Sequence, residues 1–464
     1  MEKQSKLPAA SRSMIMNKKL NNILLLPKRI VTSDAQNRIL KNHAVDISDG
    51  IINAFIPFEK VREEKYDEVY DAGHLTLIPG FVQTHVHLSQ TLFRGLAEDL
   101  PLLDWLRLKI FPFENEHNKE SLQATAQLSI NELLMGGTTT ILDMGTLRHG
   151  EVVLSEMISS GIRGFSGKCL IDINDLYPDF KSSLKVEIKD ILSLAQNFHN
   201  SAEGRIKYSF SPRFVLSCTE ELLKETKEIM KDFPGSIYHT HSSESVDEIN
   251  EVRRRFNKEN IEYFDSIGVL DDHSVLAHCV HTSNNEKEML KEKDTRIAHC
   301  PSANLKLGSG IAPIPEYLKA GISVTLGADG APCNNNLSIF NEMRLASLIQ
   351  KPILGAEVMD AKTIFRMATI EGAKALHLQE EIGSIEVGKK ADLVMIDLDS
   401  YSNSYTDSDS AVYSDIVFSS TTENVKSVMV DGGWVVKERE SLIYDQREII
   451  SKGKEELKKL LKRL

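Results

Sequence analysis

The marks of an exported, membrane-spanning or nucleic-acid-binding chain are missing from these 464 residues. No apolar stretch approaches the ~20 residues of a membrane-spanning helix, so no span is expected. The opening segment carries lysines, but its run "ILLL" is too short for the apolar core of a signal peptide. Residues 1–17 are expected to form a disordered leader, with Met14 or Met16 as an alternative start. A basic excess is also missing. The net charge is -12, which argues against a nucleic-acid surface. Cysteine is scarce: Cys169, Cys218, Cys279, Cys300 and Cys333 are scattered, and no CxxC occurs. Four of them lie in or beside apolar runs, where a free thiol is usually core. A reducing, cytoplasmic compartment is the expectation.

What the chain does have is a repeat. From residue 75, short apolar runs alternate with helical stretches: "LTLIPGFVQTHVH", "TTTILDMG", "IRGFSGKCLI", "IKYSFSPR", "SIYHTH", "SVLAHCV", "RIAHCP" and "ISVTLGAD". Between them, "KESLQATAQLSINELLMGG" ends in a Gly-Gly helix stop, and "TEELLKETKEIMKDF" opens on an N-cap candidate, Thr219. Strand-helix units in series predict a parallel α/β fold, and eight of them predict a closed (β/α)8 TIM barrel over residues 79–378. An open dinucleotide-binding sheet loses support because no GxGxxG follows the first strand.

The flanks alternate strand and turn, with hairpin signals at Asp49-Gly50 and Asp431-Gly432. Residues 18–78 and 379–447 are therefore expected to build one small β-sandwich domain from both chain ends. The tail, 448–464, reads as a basic amphipathic helix that packs on its own protein or on a subunit, which leaves a homo-oligomer open.

The chemistry gathers at the strand ends. Two histidines, His85 and His87, lie on one face of the first strand, because side chains alternate. Later strands end in Asp143, Lys168, Arg213, His239 and His241, His278, His299 and Asp329. In a barrel of this type the active site lies at these ends. Polar loop ends alone do not readily explain six histidines and two aspartates. Three histidines and a carboxylate suffice for a catalytic Zn²⁺. On the fifth strand, His241 is the expected ligand and His239 a core support, because Glu244 follows His241 closely enough to shuttle protons. One of His278 and His299 is expected to hydrogen-bond the attacking water.

The segments "PGFVQTHVH", "HTHSSE", "LAHC", "HCPSANLKLGSGIAPIPEYLKAGISVTLGADGAPCNN" and "GKKADLVMID" together resemble the amidohydrolase superfamily. More narrowly, they resemble its branch of adenosine-type deaminases and triazine hydrolases, which includes 5'-deoxyadenosine, methylthioadenosine/S-adenosylhomocysteine and guanine deaminases. The likeness runs over residues 18 to 445. It implies one divalent metal, Zn²⁺ with Fe²⁺ as the alternative, held by His85, His87, His241 and Asp329. By the same resemblance His278 hydrogen-bonds the attacking water and Glu244 protonates the ring nitrogen. Glu114 of "FPFE" would hold the ribose hydroxyls. Two substrate-side positions depart from parts of the branch, and a third carries a likeness to one part of it. Arg213 of "SPRFVLSC" stands where methylthioadenosine deaminases carry histidine, Lys168 stands where arginine is common, and Gln90 is similar to guanine deaminases.

The expected activity is hydrolytic deamination of an aminopurine nucleoside, a small molecule, with a 5'-modified adenosine first. A free aminoheterocycle such as guanine, or an s-triazine losing amine or chloride, is the alternative enzyme reading. An inactive binding scaffold of the same fold would need a missing ligand or proton shuttle, and none is missing.

Overall fold

β-Branched apolar runs become strands where the pattern predicts them, and the computed structural model describes them within residues 22–406 and 408–464. The expected leader, 1–17, lies outside the described residues. The N-terminal piece contributes β1 (Asn22–Val31), β2 (Ile39–Lys41), β3 (His43–Ser48), β4 (Ile51–Pro57) and β5 (Glu68–Pro79). The barrel follows as β6 (Phe81–Val86), β7 (Thr138–Asp143), β8 (Arg163–Ser166), β9 (Cys169–Leu170), β10 (Ile206–Pro212), β11 (Ile237–Ser242), β12 (Ser274–His278), β13 (Arg296–His299) and β14 (Val324–Leu326). The chain returns through β15 (Leu393–Ile396), β16 (Val425–Val430), β17 (Gly433–Lys437) and β18 (Glu440–Ser441).

The first apolar run serves two sheets. Leu75 to Pro79 belong to β5, and β6 begins only after Gly80. A Cβ on Gly80 would lie 2.1 Å from Thr139 Oγ1, so a side chain there has no room.

Barrel strands pair in parallel in the order β14-β13-β12-β11-β10-β8-β7-β6, with β9 continuing the third strand beside β10. A parallel bridge between Val86 and Asp329 closes the ring. The closure is tight: a Cβ on Gly327 would lie 2.5 Å from the His85 carbonyl oxygen. Closure thus brings the first and last strand ends, His85 and Asp329, side by side. Beneath the site an apolar layer that includes Val82, Leu142, Phe165, Ile237 and Val275 is plugged by Leu376, Leu378 and Ile382. Expected caps form as well. Thr219 Oγ1 accepts from Leu222 N, and the helix Lys119–Met135 stops at Gly136, followed by Gly137 at φ 83°.

The two chain ends form one nine-stranded mixed sheet, β18-β17-β16-β15-β5-β1-β3-β4 with β2 on β1. Asp49 and Gly50 have φ of 53° and 82°, and Asp431 and Gly432 have 53° and 75°, the left-handed pair that a two-residue hairpin needs. These turns touch each other: a Cβ on Gly432 would meet Gly50 Cα at 2.4 Å. Arg163 of β8 ties this sheet to the barrel. Its fully buried guanidinium donates to both Asp392 oxygens at 2.7 and 3.0 Å and to Asp431 at 3.1 Å. The tail helix spans Gln446–Leu460 and packs on the helix Lys119–Met135.

Candidate metal centre and substrate cavity

Ring closure and strand alternation converge four donor atoms on one point. His85 Nε2 and His87 Nε2 lie 3.2 and 3.3 Å from Asp329 Oδ1, and His87 Nε2 lies 3.3 Å from His241 Nε2. The candidate donor atoms of these four residues lie within 4.8 Å of one another.

Hydrogen bonds beyond this set fix two tautomers. His241 Nδ1–H donates to the Arg213 carbonyl at 2.7 Å, which leaves its Nε2 as a lone pair. His239 Nδ1–H donates to Val275 O at 3.0 Å, so its Nε2 accepts from His85 Nδ1 at 2.8 Å. The His85 Nε2 lone pair therefore points at the centre, buried and without a hydrogen-bond partner. A bare lone pair 3.2 Å from a carboxylate oxygen is repulsive unless a cation stands between them. Three imidazoles and one carboxylate fit a borderline-soft divalent ion such as Zn²⁺. Burial lowers His85 to about 4, so its ring is neutral and ready to ligate at pH 7. Asp329 has φ 63° and His278 φ 75°, left-handed conformations that non-glycine residues adopt mainly where the surroundings enforce them.

Glu244 and His278 stand beside this set. His278 Nδ1 donates to Asn304 Oδ1 at 2.8 Å. Its Nε2 then faces Glu244 Oε2 at 3.5 Å and Asp329 Oδ2 at 3.8 Å. Burial, reinforced by the charges of Asp329 and Glu248, raises Glu244 well above an ordinary glutamate. A carboxyl kept neutral in this way is a proton donor. Its Oε1 is buried and has no hydrogen-bond partner.

The cavity above is walled by Leu102, Trp105, Leu106, Phe214 and Leu307, and its polar lining includes Arg213. Glu114, Arg213 and Gln90 meet in one buried cluster. Glu114 Oε2 pairs with Arg213 Nη1 at 2.9 Å, and Oε1 accepts from Gln90 Nε2 at 2.9 Å. Arg213 faces the cavity, while Glu114 and Gln90 are not among the lining residues. Lys168 is not brought to the cavity either. Its ammonium pairs with Asp190 at 2.8 Å and with Glu187 at 3.6 Å, both on the helix Leu184–Phe198. His299 is buried with both ring nitrogens unpartnered, and His281 bonds the Ser309 carbonyl in a loop.

Three contributors escape sequence reasoning. Asn304 sits inside the quoted "HCPSANLK" with no signal of its own partner. Asp143 ends a strand as expected, but its carboxylate accepts from Leu88 N at 2.8 Å and Ser166 Oγ at 2.6 Å, so it holds the turn after His87. Trp105 lies in the cavity wall with its Nε1–H buried and unpartnered.

The amidohydrolase family matches residues 76–435. A 5'-deoxyadenosine deaminase from Methanobrevibacter smithii is 39% identical over 401 residues, covering 86% of this chain and 90% of its own length. A 5-methylthioadenosine/S-adenosylhomocysteine deaminase from Acetivibrio thermocellus is 34% identical over 445 residues, covering 95% of this chain and 100% of its own. Among solved structures, an adenosine deaminase from Xanthomonas campestris with bound zinc is similar at a TM-score of 0.87 and 26% identity, covering 95% of this chain and 99% of its own. No helix among the described residues is long and apolar enough to cross a membrane.

Proposed function

The chain belongs to the amidohydrolase family, and from that premise we propose that it deaminates an aminopurine nucleoside hydrolytically, with a 5'-modified adenosine as substrate. One observation carries the chemistry: the buried Glu244 carboxyl stands beside His278 and Asp329 at a four-donor cation site. His85, His87, His241 and Asp329 are the ligands in this reading, zinc ahead of Fe²⁺. Such an ion lowers the pKa of water toward ~7. The chain's own groups do the rest. Asp329 Oδ2 accepts a proton from the attacking water, and His278 Nε2 accepts a hydrogen bond from it. Glu244 protonates the ring nitrogen next to the amino-bearing carbon. The C–N bond then breaks: the proton on Asp329 goes to the departing amine, which leaves as ammonia, and the remaining hydroxyl proton returns to Glu244 as the carbonyl forms. Chloride needs no such proton, so dechlorination is the reading least suited to Glu244.

Glu114 is the candidate ribose clamp. Its carboxylate has lone pairs beyond those taken by Arg213 and Gln90, and a cis-diol can share them. A second reading, guanine or another free base, is favoured by Arg213 lining the cavity where Glu114 does not. Lys168, paired with Asp190, has no part in either reading. We read the nine-stranded sheet as the small sandwich domain, 18–78 with 379–447. Its separate core supports this, since Ile23, Leu25 and Val45 pack with Leu393 and Met429.

Purified enzyme should release ammonia from at least one of 5'-deoxyadenosine, methylthioadenosine, S-adenosylhomocysteine and adenosine. Turnover of guanine or melamine with no nucleoside would overturn the nucleoside reading and leave the metal chemistry standing.

A further inference from the structure

The C-terminal helix lies far along the chain from the candidate ligands and from Glu114, Gln90 and Arg213, yet it backs the substrate side of the site. Asp445 caps it by accepting from Arg447 N and Glu448 N. Its buried stripe is Ile449, Gly453, Glu456 and Leu460, spaced four, three and four residues apart on one face. At Gly453 the helix backbone presses directly on its neighbours. A Cβ there would lie 2.6 Å from Leu128 Cδ1 and 3.5 Å from Leu92 Cδ2. Two turns later Leu460 is fully buried against Leu92, Phe93 and Phe113. Beyond it Arg463 donates twice to the Glu116 carbonyl, at 3.1 and 2.6 Å.

Those contacts fall on the segment that carries the polar cluster. Leu92 and Phe93 belong to the turn Leu88–Phe93, which follows His87 and holds Gln90. Phe113 precedes Glu114, and its ring packs on Phe93 at 5.0–5.1 Å, as does that of His117. His117 Nε2 then bonds Ser89 O at 2.8 Å and its Nδ1 bonds Ser121 Oγ at 2.9 Å.

We propose that the C-terminal helix, through Leu460 and Arg463, is a positioning element for Glu114 and Gln90, and so tunes recognition of the sugar while leaving the metal centre alone. The inference rests on the nucleoside reading above. A shift of about 1 Å in a positioned group can cost on the order of 10²-fold in rate, so a smaller displacement by remote packing is expected to cost less. The test uses full-length Arg463→Ala and Leu460→Ala with adenosine, 5'-deoxyadenosine and 2',3'-dideoxyadenosine, and Glu114→Ala as the reference. Expected is a KM about 10-fold higher on the two diol-bearing nucleosides, with kcat, metal content and KM for the dideoxy nucleoside held. Arg463→Ala removes only a surface side chain, so it reports even if Leu460→Ala folds poorly. An unchanged KM in Arg463→Ala, or an equal rise on all three nucleosides, overturns the proposal. If Glu114→Ala is diol-selective and the helix variants are not, the helix inference alone fails. If wild type turns over no nucleoside, the reading beneath it fails.

Discussion

Replacing Glu244 by glutamine tests the chemistry most directly. Burial and the nearby Asp329 and Glu248 charges hold this carboxyl neutral, so glutamine matches both its shape and its charge state. What glutamine cannot do is give up a proton. Binding should therefore survive and the chemical step should not. Loss of a positioned general acid lowers kcat by roughly 10²- to 10⁴-fold, about 3–5 kcal/mol of barrier. The four candidate ligand residues do not include Glu244, so metal content should stay at one ion per chain. The closest contact at stake is His278 Nε2 at 3.5 Å, too long to be a strong bond, so stability should change little. Ammonia release at saturating substrate, elemental analysis and a thermal melt on the same preparation give all three readouts. Two results would refute the reasoning. A variant that loses its metal would make Glu244 a ligand. A variant that keeps its kcat would show that the ring nitrogen takes its proton from elsewhere.

His87→Ala should lose most of its metal, since three donors rarely hold the geometry that four define, and full occupancy by elemental analysis would contradict the ligand set. Arg163→Met strands the buried Asp392 and should cost about 3–5 kcal/mol, roughly 3–5 °C in melting temperature at this chain length, while adding Asp392→Leu should recover much of it; a single variant that melts like wild type would dismiss the ion pair as a tie between barrel and sheet. His377 stacks on His273 with ring centroids 3.9 Å apart, and burial holds its pKa below the usual 6.5. The unfolded chain thus binds this proton more readily, so stability is lost as pH falls through about 6.5, and His377→Phe should melt with a shallower acid dependence between pH 7.5 and 5.5 than wild type.

Much of the candidate site is legible in the sequence because strand geometry is local. Alternation alone put His85 and His87 on one face, and barrel logic brought Asp329 to the same end of the sheet. The same holds for the turns at Asp49-Gly50 and Asp431-Gly432, where two successive positive φ angles are a property of four residues. Which partner each side chain chooses is not local. His239 was read as a core support, and only the fold shows that it lies one layer below His241 and sets the tautomer of a ring 154 residues away. Lys168 was read as a strand end, yet it lies between β8 and β9 within the third strand, and a helix that follows supplies two carboxylates that draw its ammonium aside. Glu114 and Arg213 were each read as facing substrate, and across 99 residues they pair with each other, because opposite charges buried together must be neutralised before either can serve a ligand. Sequence periodicity determined which residues reach the strand ends of the barrel. Tertiary packing decided which of them face the cavity, because direction there depends on neighbours that only ring closure brings within hydrogen-bond range.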